Sequence, residues 1–146
     1  MLTKEELFEK IKNECNVPDC SCQCEKCKSM CQKVPCLGTP QDILAIAKAG
    51  YVDKLKPTVW GVLTILMHKN YDIYMIQLDQ NEDGSCCMYK DGKCLLHDSG
   101  LKPTEGRLSA HDWTPSIWKS AIYLSAIEWC NSDNKEAIEE LFSLIV

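Results

Sequence analysis

Apolar and polar positions alternate with different periods along the chain, and each change of period marks an element. Near the start, Leu7, Phe8 and Ile11 recur at helical spacing behind Thr3 and Glu6, a capping-box pair. A short amphipathic helix is therefore predicted to follow Thr3 and to end near Asn13. A second helix is predicted over 40–49, with Thr39 as N-cap, Pro40 in the first turn, Asp42 near the positive end of the dipole and Gly50 as the stop. The runs VWGVLTILM and DIYMIQL are rich in β-branched and aromatic residues and are separated by HKNY, which predicts a hairpin. KCLLHD, after the Asp91-Gly92 turn signal, is expected to add a third strand. Thr114 and Pro115 open a longer helix that turns Trp118, Ala121, Ile122, Ser125 and Trp129 toward the core. A last helix after Asp133 sets Ile138, Leu141, Phe142 and Ile145 on one face. This order predicts an α+β class, a small antiparallel sheet with flanking helices, organised as one domain over 1–146.

One stretch fits no period. Seven of the 11 cysteines lie in CNVPDCSCQCEKCKSMCQKVPC, from Cys15 to Cys36, and Cys86, Cys87 and Cys94 follow later. Exposed free thiols oxidise and cross-link, whereas a bound metal holds them as thiolates, and Lys26, Lys28 and Lys33 favour the deprotonated form. A disulfide framework fits less well. The cysteine number is odd, Cys86 and Cys87 are adjacent, and MLTKEELFEKIKNEC carries no apolar core of a secretory signal. The composition, 45% hydrophobic and 25% charged, is that of an ordinary globular domain. A cysteine-rich, metal-binding loop region in a reducing, cytoplasmic setting is the expectation.

Charge and length narrow the partners. A formal net charge of −5 and an isoelectric point of about 5.2 argue against broad binding to a nucleic-acid backbone. No apolar run reaches bilayer length, since VWGVLTILM soon meets His68 and Lys69, so no membrane partner is expected. The expected partner is a metal ion, with another protein meeting the exposed face.

Zinc takes sulfur and imidazole ligands in a tetrahedron, usually two from each of two segments. Cys22, Cys24, Cys27, Cys31 and Cys36 supply one segment; Cys87, Cys94 and His97 supply the other, with Cys86 and His111 as further candidates. One site is expected and two fit the ligand count. Zn2+ is the expected metal and iron or an iron–sulfur cluster the alternative, although the ferredoxin spacing CxxCxxCxxxCP is absent. Cys15, Cys20 and Cys130 read as peripheral or core thiols, Cys130 packing as a small hydrophobe behind Trp129. His68 reads as an exposed turn residue, and the four tryptophans as core. In EGRLSAHD, Glu105 or Asp112 is placed to orient a histidine.

The order CxxCxxxC at Cys24, Cys27 and Cys31, then PC and TPQDI within 35–43, CCMYKDGKCLLHD at 86–98 and LKPTEGRLSAH at 101–111 resembles the YkgJ-type CxxCxxCC family, whose members are described as zinc- or iron-chelating domains. The likeness spans roughly residues 20–111 and implies Cys24, Cys27, Cys31, Cys87 and Cys94 as ligands. Met30 stands where the first of the paired cysteines would be, and Gly106 where the cysteine of an RPxxCR-like segment would be. Cys22, Cys36, His97 and His111 are the natural replacements. His97 follows Cys94 at CxxH spacing and is favoured, with His111 as a supporting or alternative ligand. The resemblance implies chelation, either in a metal-stabilised domain without catalysis or in an iron–sulfur or metal-dependent oxidoreductase. No GxGxxG, P-loop, GxSxG or HExxH run points to a particular reaction.

Overall fold

The computed structural model describes residues 1–16, 35–64, 69–91, 93–96, 99–108 and 115–145. Helix α1, Lys4–Cys15, starts at Thr3, whose hydroxyl accepts the Glu6 N–H at 3.2 Å while the Glu6 carboxylate accepts the Thr3 N–H at 3.4 Å. It runs past Asn13 and stops after Cys15, where Asn16 adopts the left-handed conformation, φ 54°, and turns its N–H back onto Asn13 and Lys12. Leu7, Phe8 and Ile11 are buried with Leu108 and Ala121, as their spacing predicted.

Helix α2, Pro40–Ile46, is shorter than the predicted 40–49. Its regular hydrogen bonding gives way to a π turn over Ala47–Tyr51, inside which Gly50 takes φ 100°. Open space surrounds the position of a Cβ at Gly50, so the backbone angle and not crowding calls for glycine there.

Strands β1, Leu55–Thr64, and β2, Lys69–Leu78, form the antiparallel hairpin, with register from Leu55 opposite Leu78 to Thr64 opposite Lys69. The hairpin is thus displaced from the predicted strands. β1 begins at Leu55 instead of Val59, and β2 begins at Lys69 instead of Asp72. Pro57 would argue against a central strand, but in a two-stranded sheet each strand is an edge and tolerates a missing N–H. KCLLHD does not extend this sheet. Lys93–Cys94 (β4) pairs with Tyr89–Lys90 (β3) in a separate two-residue hairpin, tightened by the Leu95 N–H to Met88 carbonyl bond at 2.9 Å.

Three further helices follow: α3, Thr104–Leu108, α4, Pro115–Ile127, and α5, Lys135–Ile145. Ala121, Ser125 and Trp129 are buried as expected. Cys130 is not: α4 ends in a 3₁₀ turn, Glu128–Cys130, whose tighter winding turns Trp129 inward and leaves Cys130 exposed. On α5 the buried positions are Ala137 and Leu141, whereas Phe142 is 48% exposed. Phe142 instead borders an apolar groove of about 220 Å³ shared with Pro57, Val59, Tyr74 and Ile138.

The described residues therefore form an α+β arrangement around the main core, where Ile43, Ile46, Ile76, Leu78, Leu96 and Leu141 meet. Among the described residues no helix is long and apolar enough to cross a membrane. Trp113 and the side chains of Trp60 and Trp118 lie outside the described part.

A buried polar chain joins the helices. Lys10 of α1 pairs with Glu128 at 3.2 Å, Glu128 accepts from Asn134 at 2.7 Å, Asn134 accepts from Gln41 at 2.7 Å, and Gln41 also donates to the Leu2 carbonyl at 3.1 Å. Glu128 is 4% exposed, so its partners offset a substantial desolvation cost.

Candidate functional site

The cysteine run leaves the described structure after Asn16 and returns at Pro35, so its two flanks can be described. At the first flank, Cys15 is buried in the α1 cluster that includes Leu108 of α3. Burial pushes its thiol up, and the charge of Glu14 adds to the shift. Cys15 is a core thiol, as expected. Arg107 fastens α1 to α3 with two hydrogen bonds to the Glu5 carboxylate, at 3.1 and 3.0 Å, and lies 3.7 Å from the centre of the Phe8 ring. The Arg107 hydrogen bond holds the Glu5 carboxyl below its ordinary range.

At the second flank, Cys36 is buried and its sulfur faces Gly106 of α3. A Cβ added at Gly106 would stand 3.2 Å from Cys36 Sγ and 3.0 Å from Lys102 Cε. The thiol and the lysine stem thus occupy the space that a side chain at 106 would need.

The next three residues are gripped through their backbone. The Leu37 N–H donates to Glu105 Oε1 at 3.0 Å, and the Leu37 carbonyl accepts the Glu105 N–H at 3.1 Å. The Gly38 N–H donates to Gln77 Oε1 at 2.9 Å, and the Gly38 carbonyl accepts from both Gln77 Nε2 and Trp129 Nε1, each at 2.9 Å. The Thr39 N–H donates to Asp42 Oδ2 at 3.0 Å, and Thr39 Oγ1 accepts the Asp42 N–H at 3.2 Å. Asp42 Oδ2 also receives the Thr104 N–H at 2.9 Å and the Thr104 hydroxyl. A side chain at Gly38 would stand 3.1 Å from both Asp42 Cβ and Ile43 Cδ1, so the close approach of loop and helix favours glycine. The Asp42 carboxylate and the Thr39 hydroxyl thus complete the N-terminal cap of α2 from within the chain.

Glu105 therefore acts on the loop after Cys36; His97 and His111, the histidines it was expected to orient, lie outside the described residues. Gln77, Trp129 and Thr104 were not foreseen as parts of this region. The available signal for Gln77 was its polarity among Met75, Ile76 and Leu78, since a polar residue in a stretch buried on both faces needs a partner. Replacing Gln77 with leucine should destabilise the fold by about 2–4 kcal/mol, because it strands the buried Gly38 N–H and weakens the carbonyl's bonding. Urea unfolding with an unchanged slope would measure the loss; a change within error of zero would show that the clamp contributes nothing.

The later cysteines sit on the segment between β2 and β4. Cys86 forms an isolated bridge with Gln80, the Cys87 N–H donates to the Asp79 carbonyl at 3.0 Å, and Cys94 lies opposite Tyr89. Cys86 and Cys87 are buried and Cys94 is half-buried. The Cys87 thiol is held down at about 7, from an ordinary 9.0, first by a hydrogen bond from the Cys86 side chain and then by the Asp79 backbone and the Lys54 charge; burial opposes them. A depressed thiol favours the fold fully above its ordinary value, and this contribution is lost as pH falls through about 7. In metal-free protein, alkylation of Cys87 should follow a profile centred near 7 that moves upward in Cys86→Ala. An unmoved midpoint would show that Cys86 is not the cause.

Of the expected ligands, Cys36, Cys87 and Cys94 are described, whereas Cys22, Cys24, Cys27, Cys31 and His97 lie outside the described residues, as do Cys20, His68, His111 and Asp112. Among the described residues, no three His, Cys, Asp or Glu side chains are grouped to hold a metal ion. No protein-family model, curated protein or solved structure matches this chain.

Proposed function

We propose that this is a metal-binding, cysteine-cluster protein related to the YkgJ-type CxxCxxCC group, with Zn2+ as the metal and iron or an iron–sulfur cluster as the alternative. The observation that carries this reading is the way the cysteine run rejoins the core. Cys36 is buried against Gly106, and the three residues after it are hydrogen-bonded by side chains or backbone from β2, α2, α3 and the turn after α4. A thiol on a loop held this firmly loses little freedom on binding a metal, which favours capture by a run otherwise lacking an apolar pattern.

In this reading Cys22, Cys24, Cys27, Cys31 and Cys36 supply thiolates from one segment, and Cys87, Cys94 and His97 supply the other. Zinc held by four such ligands has no open position and acts as a structural clamp, replacing apolar core that the cysteine segment does not provide. The oxidoreductase alternative requires either a cluster, which thiolates alone would also hold, or a metal with one coordination position left open.

Anaerobic purification separates the two. Colourless protein with stoichiometric zinc supports the structural site, whereas brown protein with acid-labile sulfide supports the cluster; protein with neither metal refutes chelation. Serine at Cys24, Cys27, Cys31, Cys87 or Cys94 should lower metal content strongly, because a hydroxyl is a poor ligand in a soft site. An equal loss in Cys15→Ser or Cys130→Ser would refute this division. X-ray absorption of the loaded protein should show nitrogen among mostly sulfur neighbours, and His97→Ala should reduce it.

A further inference from the structure

We propose that Lys102 is a positioning residue for the metal centre, setting its positive charge beside the Cys36 thiolate across the bare face of Gly106. The proposal rests on the metal reading above and adds to it a residue that balances the centre's charge.

The place of Lys102 in the fold carries the argument. Among the described residues the buried anions are Asp42, Glu105 and Glu128, and the buried cation is Lys102, at 7% exposure. Taking an ammonium out of water is costly, so a lysine in such a place points to a demand for positive charge close by. Its side chain reaches forward to α3. Lys102 Cγ stands 3.2 Å and Lys102 Cε 3.0 Å from the position of a Cβ at Gly106, and Cys36 Sγ stands 3.2 Å from the same point. The carbon that carries the ammonium and the sulfur therefore flank one small space, which they share because residue 106 has no side chain. Cys36 is itself buried, so the two groups meet where water screens little.

The chemistry of the expected ligands creates the demand. Zinc held by three thiolates and an imidazole is a net anion, and zinc held by four thiolates a stronger one. In a chain whose formal net charge is already −5, such a centre gains from a cation close to a ligand sulfur. Arg107, the other cation of α3 and its approach, is engaged elsewhere, with two hydrogen bonds to Glu5 and its guanidinium over the Phe8 ring. Lys102 touches neither metal nor substrate in this account; it acts through the sulfur. A purely structural role, as a counter-charge to buried Glu105, makes a different prediction: removing the charge would loosen the fold without changing the electronic state of the ligand sulfur.

The test compares reduced full-length wild type with Lys102→Met, Lys102→Gln and Lys102→Arg. Zinc affinity is measured by competition with a chromophoric chelator, and cobalt-loaded protein by its sulfur-to-cobalt charge-transfer absorption. Methionine keeps much of the stem and removes the charge; glutamine, neutral but able to hydrogen-bond, repeats the test if the methionine variant does not fold. Each is expected to lower zinc affinity roughly 10–100-fold. Each should also move the charge-transfer band to lower energy, because a thiolate without its neighbouring cation gives up an electron more readily. Arginine keeps the charge and should hold both readouts near wild type. A band unmoved in the neutral variants overturns the proposal whatever the affinity, since Lys102 would then act on the fold alone. The same shift and loss in Lys102→Arg would overturn it as well, because shape and not charge would be the cause. Wild type that binds neither zinc nor cobalt refutes the metal centre and the proposal with it, whereas wild type that binds cobalt, with the band unmoved in the variants, refutes the role of Lys102 alone.

Discussion

Stripping the metal with a chelator under reducing conditions is expected to lower the thermal midpoint by at least roughly 10 °C and to change the far-ultraviolet circular dichroism. A structural zinc contributes on the order of 10 kcal/mol to folding, and each kcal/mol moves the midpoint of a chain of this size by about 3 °C. The flanks explain why the loss should spread. Cys15 is packed in the cluster that contains Leu108, and Cys36 faces Gly106, so both ends of the cysteine run meet the short helix α3. Releasing the run would loosen α1 and the 36–39 loop together. Restoring zinc should restore the melt. An unchanged cooperative transition after complete metal removal would refute the coupling of ligation to folding.

Replacing Asp42 with alanine should cost about 3–5 kcal/mol, through loss of an N-terminal cap and exposure of buried donors to an apolar environment. Asp42 is fully buried, and its Oδ2 alone receives the Thr39 N–H, the Thr104 N–H and the Thr104 hydroxyl. Asp42→Asn should cost clearly less. Its carboxamide oxygen can take the place of Oδ2, while Oδ1, which has no hydrogen-bond partner among the described residues, gives up no bond. Urea denaturation of both variants provides the comparison. Equal losses would mean that the negative charge, and not the geometry of one oxygen, holds the α2 and α3 starts together.

The two capping residues, Thr3 and Thr39, were legible because their signals are local. A hydroxyl reaching an N–H three residues on needs nothing from the rest of the chain. Apolar spacing likewise marked Leu7, Phe8 and Ile11 as one buried stripe, and Ala121, Ser125 and Trp129 as another. The strand composition marked a hairpin but not its register. Extending β1 through Pro57 depended on the sheet having only two strands, which local propensity does not convey. Cys130 was misplaced because a helical period was continued one residue into a 3₁₀ turn.

The cysteines show the same division. Their number, their crowding before Cys36 and the adjacency of Cys86 and Cys87 are properties of the sequence by itself, and with them the soft-ligand chemistry available to this protein. So are the α+β order of elements and the positions of the helix starts. Only the tertiary structure decided that Cys36 faces Gly106, that Leu37 meets Glu105 across a separation of 68 residues, and that Gly38 is held by Gln77 at 39 residues and by Trp129 at 91. Those contacts join polar groups far apart in the chain, and no periodicity encodes them. They form because a backbone taken out of water must find its hydrogen-bond partners wherever packing brings them.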